Sequence, residues 1–174
     1  MKRDIGLWQL IGFAFTSLLG TILHFLYEWL GKPYWIASFS GVNESTFEHM
    51  KLIFWPMFAF AVIESFFFRD NKSFWCIKLR GILIGLILIP ALFYTYNGVI
   101  GKSPDWINIA IFFISAAISY IYEAKKLKQD KTKCEKPRCA IFSLCVISIL
   151  FILFTFVTPK IAIFMDPLTN SYGI

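Results

Sequence analysis

Both histidines of this chain lie near the ends of apolar segments and have carboxylates close by. Glu28 follows His24 by four residues, which is the spacing of neighbours on one helix face, and Glu44 and Glu48 precede His49. Two imidazoles and a carboxylate are the ligand set of many zinc and non-haem iron sites with open positions. We therefore predict that His24, Glu28 and His49 bind a divalent metal such as zinc. Glu48 or Glu44 would be the catalytic base that acts on a metal-bound water.

The same residues allow simpler interpretations. Ser45 and Glu48 fit the S-x-x-E pattern of a capping box at a helix start. His24 and Glu28 are also suited to a hydrogen-bonded pair that neutralises both groups in the membrane, or to a proton relay. A structural polar network, a metal site and direct acid–base use therefore all remain open.

The elements that must position these residues are transmembrane helices. The chain has 174 residues, of which 57% are hydrophobic and 16% charged, with a mean hydropathy of +0.65. Runs of about 20 apolar residues can cross the hydrocarbon core of a bilayer as helices. The sequence predicts one all-α membrane domain over 1–174. Its five spans are expected at about 5–29, 46–68, 77–99, 106–122 and 140–158.

Basic residues predict the orientation of this bundle. With the N-terminus inside, thirteen of the seventeen lysines and arginines fall in cytoplasmic segments, and only Lys32, Lys51, Lys102 and Lys160 fall outside. The positive-inside rule then gives an N-in/C-out topology and a multi-pass protein of the plasma membrane. The net charge of +6 is explained by this asymmetry. A nucleic-acid partner is not expected, because no soluble basic face is present.

Further polar residues are expected to converge on the outer side, where the histidines lie. The loop between the first two spans is short, so these two helices should be neighbours. The C-terminal segment is expected to fold back onto this face. The expected polar pocket also contains Tyr27, Asn43, Ser45, Tyr94, Asn97 and Asp166.

Small residues predict how the helices pack, since helix association in lipid depends on close backbone approach. Gly12, Thr16 and Gly20 recur every four positions in the first span, and this row leads to His24 and Glu28. Both ionisable residues should therefore face protein. All four cysteines fall in or near the cytoplasmic half, where reduced thiols are expected.

The chain resembles a family of small bacterial membrane proteins known only as a domain of unknown function. The resemblance rests on the segments His24–Trp29 and Asn43–Lys51, on Phe54 and Pro56, and on the ending with Asp166-Pro167 and Tyr172-Gly173-Ile174. It implies a five-helix bacterial membrane protein and no particular activity. A weaker similarity is to multi-helix zinc hydrolases typified by alkaline ceramidases and progestin/adiponectin receptors. Those proteins use three histidines, an aspartate and a serine, whereas this chain has two histidines and no H-x-x-x-H motif.

Three functions are consistent with these features, and only the first would make the protein an enzyme. The first function is an outward-facing metal site that acts on a lipid or other amphiphile. The second is a proton- or cation-coupled transporter or channel subunit, which would have to oligomerise because five helices make a small carrier. The third is an accessory membrane protein whose polar cluster locks two helices together. Membrane lipids are the expected partners, and homo-oligomers are compatible with the second function.

Overall fold

The computed structural model describes residues 4–101, 104–129, 134 and 136–174, without the side chain of Asp105. Within this part of the chain there are six α-helices and one 3₁₀ helix, and no β-strand. The helices are α1 (Ile5–Trp29), α2 (Tyr34–Ala37), α3 (Thr46–Ser65), α4 (Phe74–Ile100), α5 (Asp105–Gln129) and α6 (Pro137–Phe156). The 3₁₀ helix is Ala162–Phe164. The all-α fold class is thereby confirmed.

Five of the helices, all except α2, are long and apolar enough to span a membrane. The first predicted span coincides with α1, whereas α3 ends three residues earlier than expected and α4 begins three residues earlier. Helix α5, which contains the fourth predicted span, continues through the lysine-rich segment as far as Gln129. Part of the expected polar loop is therefore helical. The rest of that loop, residues 130–133 and 135, lies outside the described residues.

Glycines and small hydroxyl residues mark the surfaces where the long helices approach most closely. A Cβ on Gly12 would lie 2.5 Å from the Tyr120 ring and 2.6 Å from the Phe60 ring. Thr16, one turn further along α1, hydrogen-bonds the Tyr120 hydroxyl at 2.7 Å. The predicted row on α1 therefore packs against α3 and α5, as the close-approach rule requires.

The long helices run alternately up and down, which gives the bundle two distinct ends. We call them the histidine end and the basic end. The histidine end contains the C-terminus of α1, the N-terminus of α3 and the segment after α6. The basic end contains the N-termini of α1, α4 and α6 and the C-termini of α3 and α5.

The cysteines of the basic end differ in the structure from the expectation of reduced thiols. The structure joins Cys76 at the start of α4 to Cys134 before α6 by a disulfide, with the Cα atoms 6.0 Å apart. This distance lies within the usual range for disulfides, and the two cysteines are 58 residues apart in sequence. Only Cys139 and Cys145 are free thiols.

The chain after α6 folds back onto the histidine end, as predicted. Phe164 is buried, and its ring lies 4.5 Å from that of Phe47 in α3. The Gly173 carbonyl accepts a hydrogen bond from the Asn43 side chain at 3.0 Å. The last residues therefore cover the first turn of α3 and tie the loop before it to the C-terminal segment.

Candidate metal site at the histidine end

The path from α1 to α3 is fixed by the way α1 ends. Gly31 has φ of 78° and Lys32 has φ of 63°. The Lys32 amide donates to the Tyr27 carbonyl at 2.9 Å, and the Gly31 amide donates to the Glu28 carbonyl at 3.1 Å. This is the Schellman arrangement, and glycine is the residue best able to adopt its left-handed position. The chain therefore turns sharply after Leu30 and runs back across the end of the bundle.

The returning chain is attached to α1 one residue before the first histidine. The Ser40 hydroxyl and the Gly41 amide both donate to the Leu23 carbonyl, the latter at 3.2 Å. Gly41 then lies directly over His24, and a Cβ at this position would be 3.7 Å from Nδ1 of that ring. The loop is thus held against His24 by backbone contacts.

A buried lysine attaches the same loop to α3 and α6. The Lys51 ammonium donates to the Ala37 carbonyl at 2.8 Å and to the Thr155 hydroxyl at 3.0 Å, and it pairs with Glu48 at 2.7 Å. A further bond runs from the Trp55 indole to the Ser38 carbonyl at 3.1 Å. Together with the bonds to Leu23 of α1, these bonds fix the loop relative to three helices.

The start of α3 explains how Glu44 and Glu48 come to point in different directions. Ser45 is the N-cap, and its hydroxyl accepts from the Glu48 amide at 3.4 Å. The reciprocal half of the capping box is not formed. The Glu48 carboxylate accepts instead from the Val42 amide at 3.0 Å, while the Ser45 amide donates to the Asn43 side chain at 2.9 Å. This turn leaves the Glu44 side chain directed toward the histidines.

The structure brings His24, Glu44 and His49 together at this end of the bundle. His24 Nε2 lies 3.6 Å from Glu44 Oε1, and His49 Nε2 lies 3.6 Å from Glu44 Oε2. The two imidazole centroids are 5.7 Å apart. One ligand atom from each of the three residues lies within 4.8 Å of the other two.

These separations are longer than hydrogen bonds and close to the spacing of metal ligands. N–H···O bonds are normally about 2.7–3.2 Å long. Tetrahedral zinc with ligands at about 2.0–2.1 Å places those ligands about 3.3–3.4 Å apart. The Glu44–histidine distances of 3.6 Å therefore need only a small contraction to close around a metal ion.

The orientation of His49 also suits metal binding. Its Nδ1 lies 3.0 Å from the Ser45 carbonyl, so this nitrogen donates its proton to the backbone. In the neutral ring the lone pair is then on Nε2, the atom that faces Glu44. Metal-ligating histidines are commonly held by such a bond to a carbonyl.

The other two carboxylates predicted for the site have lysine partners. Glu28 pairs with Lys32 at 2.9 Å, and both side chains are about 60% exposed. The hydrogen bond to Glu28 raises the pKa of Lys32 above its usual value. The expectation that Glu28 faces protein is therefore wrong, because the loop covers only the side of the last turn of α1 that carries Tyr27. Glu48 is buried against Lys51, so it does not face the histidines as a general base would.

The remaining residues predicted for the pocket surround the site or lie farther from it. Tyr27 is buried with Ile36 and Ala37 beneath the loop. Tyr94 accepts from the Thr46 hydroxyl at 3.5 Å, and Asn97 donates to the Phe93 carbonyl at 2.8 Å. Asp166 is used within the C-terminal turn, where it accepts from the Leu168 amide and the Thr169 hydroxyl. These residues support the histidine end without joining the His24–Glu44–His49 cluster.

A mostly apolar cavity of about 250 Å³ adjoins the two histidines. It lies between α1, α3 and α5, and its walls are Gly20, Thr21, His24, Phe25, His49, Leu52, Asn108, Ile109, Phe112 and Phe113. Phe25 is 45% exposed and Ile109 is 57% exposed, so this wall reaches the apolar outer surface of the bundle. The phenylalanines of α5 were missed as site residues, since apolar residues at helical spacing look the same whether they line a cavity or face lipid.

The described part of the chain defines a small helical protein with five helices able to span a membrane and a cluster of two histidines and one carboxylate at one end. The chain belongs to a family of unknown function, DUF6512, whose profile matches residues 2–174. The resemblance to a family of unknown function is thereby confirmed. No curated protein and no solved structure matches the chain.

Proposed function

We propose that this protein binds a divalent metal ion through His24, Glu44 and His49 and presents it to an amphiphile in the membrane. The observation that carries the proposal is the closeness of the three ligand atoms, all within 4.8 Å of one another. The carboxylate ligand of this proposal is Glu44 and not Glu28, the ligand predicted from helical spacing.

Charge favours a cation at this position. Glu28 and Glu48 are each balanced by a lysine, whereas the recorded ionic partners of Glu44 are the two histidines. With neutral imidazoles the cluster carries one negative charge. The side chains of His24, His49 and Glu44 are 28%, 19% and 41% exposed, so ligands beyond the three can reach the ion.

The neighbouring cavity supports an amphiphile as the ligand. An apolar cavity of about 150 Å³ holds a benzene molecule, so one of about 250 Å³ has room for a short segment of hydrocarbon chain. The apolar part would enter between α1 and α5, and the polar head would meet the metal. A bound divalent ion supplies a Lewis acid and an activated water, which would make hydrolysis of the head group the simplest chemistry.

Metal content tests the first half of the proposal. Protein purified in detergent, stripped with a chelator and resupplied with zinc should retain about one zinc per chain by elemental analysis. The double variant His24→Ala/His49→Ala should retain none while keeping its helical circular dichroism. Wild type without near-stoichiometric metal, or a double variant that retains it, would favour a purely structural polar network.

Crosslinking tests the second half. A phospholipid with a photoreactive acyl chain should label the cavity wall, and Ile109→Trp should abolish this labelling by filling the opening. Ile118→Trp is the matched control, because this residue is also exposed on α5 but does not line the cavity. Equal labelling of both variants would exclude the cavity as the lipid site.

A further inference from the structure

A second ionisable cluster is buried at the basic end, on the other side of the apolar core from the histidines. Its members are Gln9 on α1, Glu64 on α3, Lys78 on α4 and Glu123 on α5. All four are at most 3% exposed. Four different long helices therefore contribute to one enclosed polar group.

The hydrogen-bond donors in this cluster are too few for the acceptors. The Lys78 ammonium donates to Glu123 Oε2 at 2.5 Å and to Gln9 Oε1 at 3.3 Å. It also forms an ion pair with Glu64 Oε2, although that oxygen accepts no hydrogen bond from the described residues. The Gln9 amide donates to Glu64 Oε1 at 2.5 Å. Both oxygens of Glu64 are thus in contact with a donor. Among the described residues, Glu123 Oε1 has neither a hydrogen-bond partner nor a recorded ionic partner.

Among the residues that the structure describes, none supplies a compensating charge beside the cluster. The Lys78 ammonium lies 5.6–6.0 Å from the ring centres of Phe60, Phe74 and Tyr120. The Tyr120 hydroxyl is occupied by Thr16. Glu123 packs so closely on α4 that a Cβ on Gly81 would lie 2.2 Å from Oε1.

Formal charges in this cluster do not cancel. Two carboxylates against one ammonium leave one negative charge in an apolar, aromatic enclosure, where an unpaired charge is very costly. The pair at the other end, Glu48 with Lys51, has one charge of each sign and all of its recorded donors used. The contrast indicates that the cluster at the basic end takes up one positive charge.

We infer that the cluster of Glu64, Lys78 and Glu123 is a proton-binding site, and that the proton is held on Glu123 Oε1. The bond formed is a single O–H on the carboxylate oxygen that lacks a donor. The proton comes from water and no electron is transferred. The site then has no net charge, and the ammonium remains shared between the two carboxyl groups.

Infrared spectroscopy counts the protonated carboxyls directly through their C=O stretching band. Wild type in sodium-free buffer near neutral pH should show one such buried group per chain. Glu123→Gln should lose the band, and Glu64→Gln should lose it too, because one carboxylate then balances Lys78. Lys78→Met should double the band, since both acids must then be neutral.

Glu48→Gln is the matched control, because it removes a buried carboxylate at the histidine end and should leave the band unchanged. If Lys78→Met does not fold, the two glutamine variants still decide the matter. A band that persists in Glu123→Gln would overturn the proposal. Absence of the band in wild type, together with stoichiometric uptake of radioactive sodium, would assign the site to a metal cation instead.

Discussion

At the residue scale, the partner of each carboxylate decides which one is available to a metal. Glu28 has the correct spacing from His24 but lies at the exposed end of α1 beside Lys32. Glu48 lies in the first turn of α3 but is held by Lys51. Glu44 lies in the loop just before the N-cap of α3, yet it contacts both histidines. Sequence spacing identified the histidines because they lie within long helices. It could not predict the path of the loop that brings Glu44 to them.

Metal affinity should depend on pH in a direction set by the two imidazoles. The metal binds the deprotonated nitrogens, so protons compete with it as the imidazoles become protonated. We expect the zinc affinity to fall as the pH is lowered from about 8 to about 5, by up to about tenfold per pH unit for each imidazole that is protonated. Competition with a fluorescent zinc chelator across this range measures the effect.

An affinity that does not change between about pH 7 and about pH 5 would indicate ligation by carboxylates alone. The variant His49→Gln provides the internal comparison. It removes one competing nitrogen, so its affinity should be lower at neutral pH and should depend less steeply on acidity.

At the element scale, the apolar runs predicted the five long helices because length and hydropathy are properties of a single segment. The short α2 and the attachment of its loop to Leu23 and Lys51 could not be predicted in this way. They depend on contacts between residues 14 and 104 positions apart, such as those of Lys51 with Ala37 and Thr155. The contributions of Glu123 and Gln9 to the buried cluster at the basic end could not be predicted either, because periodicity alone does not identify the facing helix.

Two glycines in long helices form a matched pair for testing the packing. Gly12→Ala should destabilise the bundle by about 1–3 kcal/mol, because the added Cβ meets the Tyr120 and Phe60 rings. Gly98→Ala, on α4 with nothing within 4 Å of its added Cβ, should stabilise by about 0.5–1 kcal/mol through its better helix propensity. Thermal unfolding in one detergent compares the two variants with wild type. Equal destabilisation by both would contradict the assigned contact surface.

At the scale of the whole molecule, two features of the basic end favour opposite compartments. Clustered lysines and arginines predict that this end is cytoplasmic. The disulfide between Cys76 and Cys134 joins residues at the same end, and disulfides are rare in the cytoplasm. Basic residues govern insertion itself, whereas a disulfide forms afterwards from thiols that are already close. We therefore retain the N-in/C-out prediction and expect this pair to be reduced in cells.

Cysteine labelling tests this orientation. In a background with all four native cysteines replaced by serine, Lys128→Cys on the last turn of α5 should resist an impermeant thiol reagent in intact cells. Tyr34→Cys, exposed at the opposite end, should react readily. The reverse pattern would invert the topology and place the histidine cluster on the cytoplasmic side.

The affinity for zinc in two single-carboxylate variants tests the proposed metal site most directly. Glu44→Gln and Glu28→Gln make the same chemical change beside the same histidine, but only Glu44 lies at both imidazoles. We predict that Glu44→Gln weakens zinc binding by at least about tenfold, or about 1.4 kcal/mol, in calorimetric titrations. Glu28→Gln should match wild type within about twofold. Unchanged affinity in Glu44→Gln, or a larger loss in Glu28→Gln, would contradict the site.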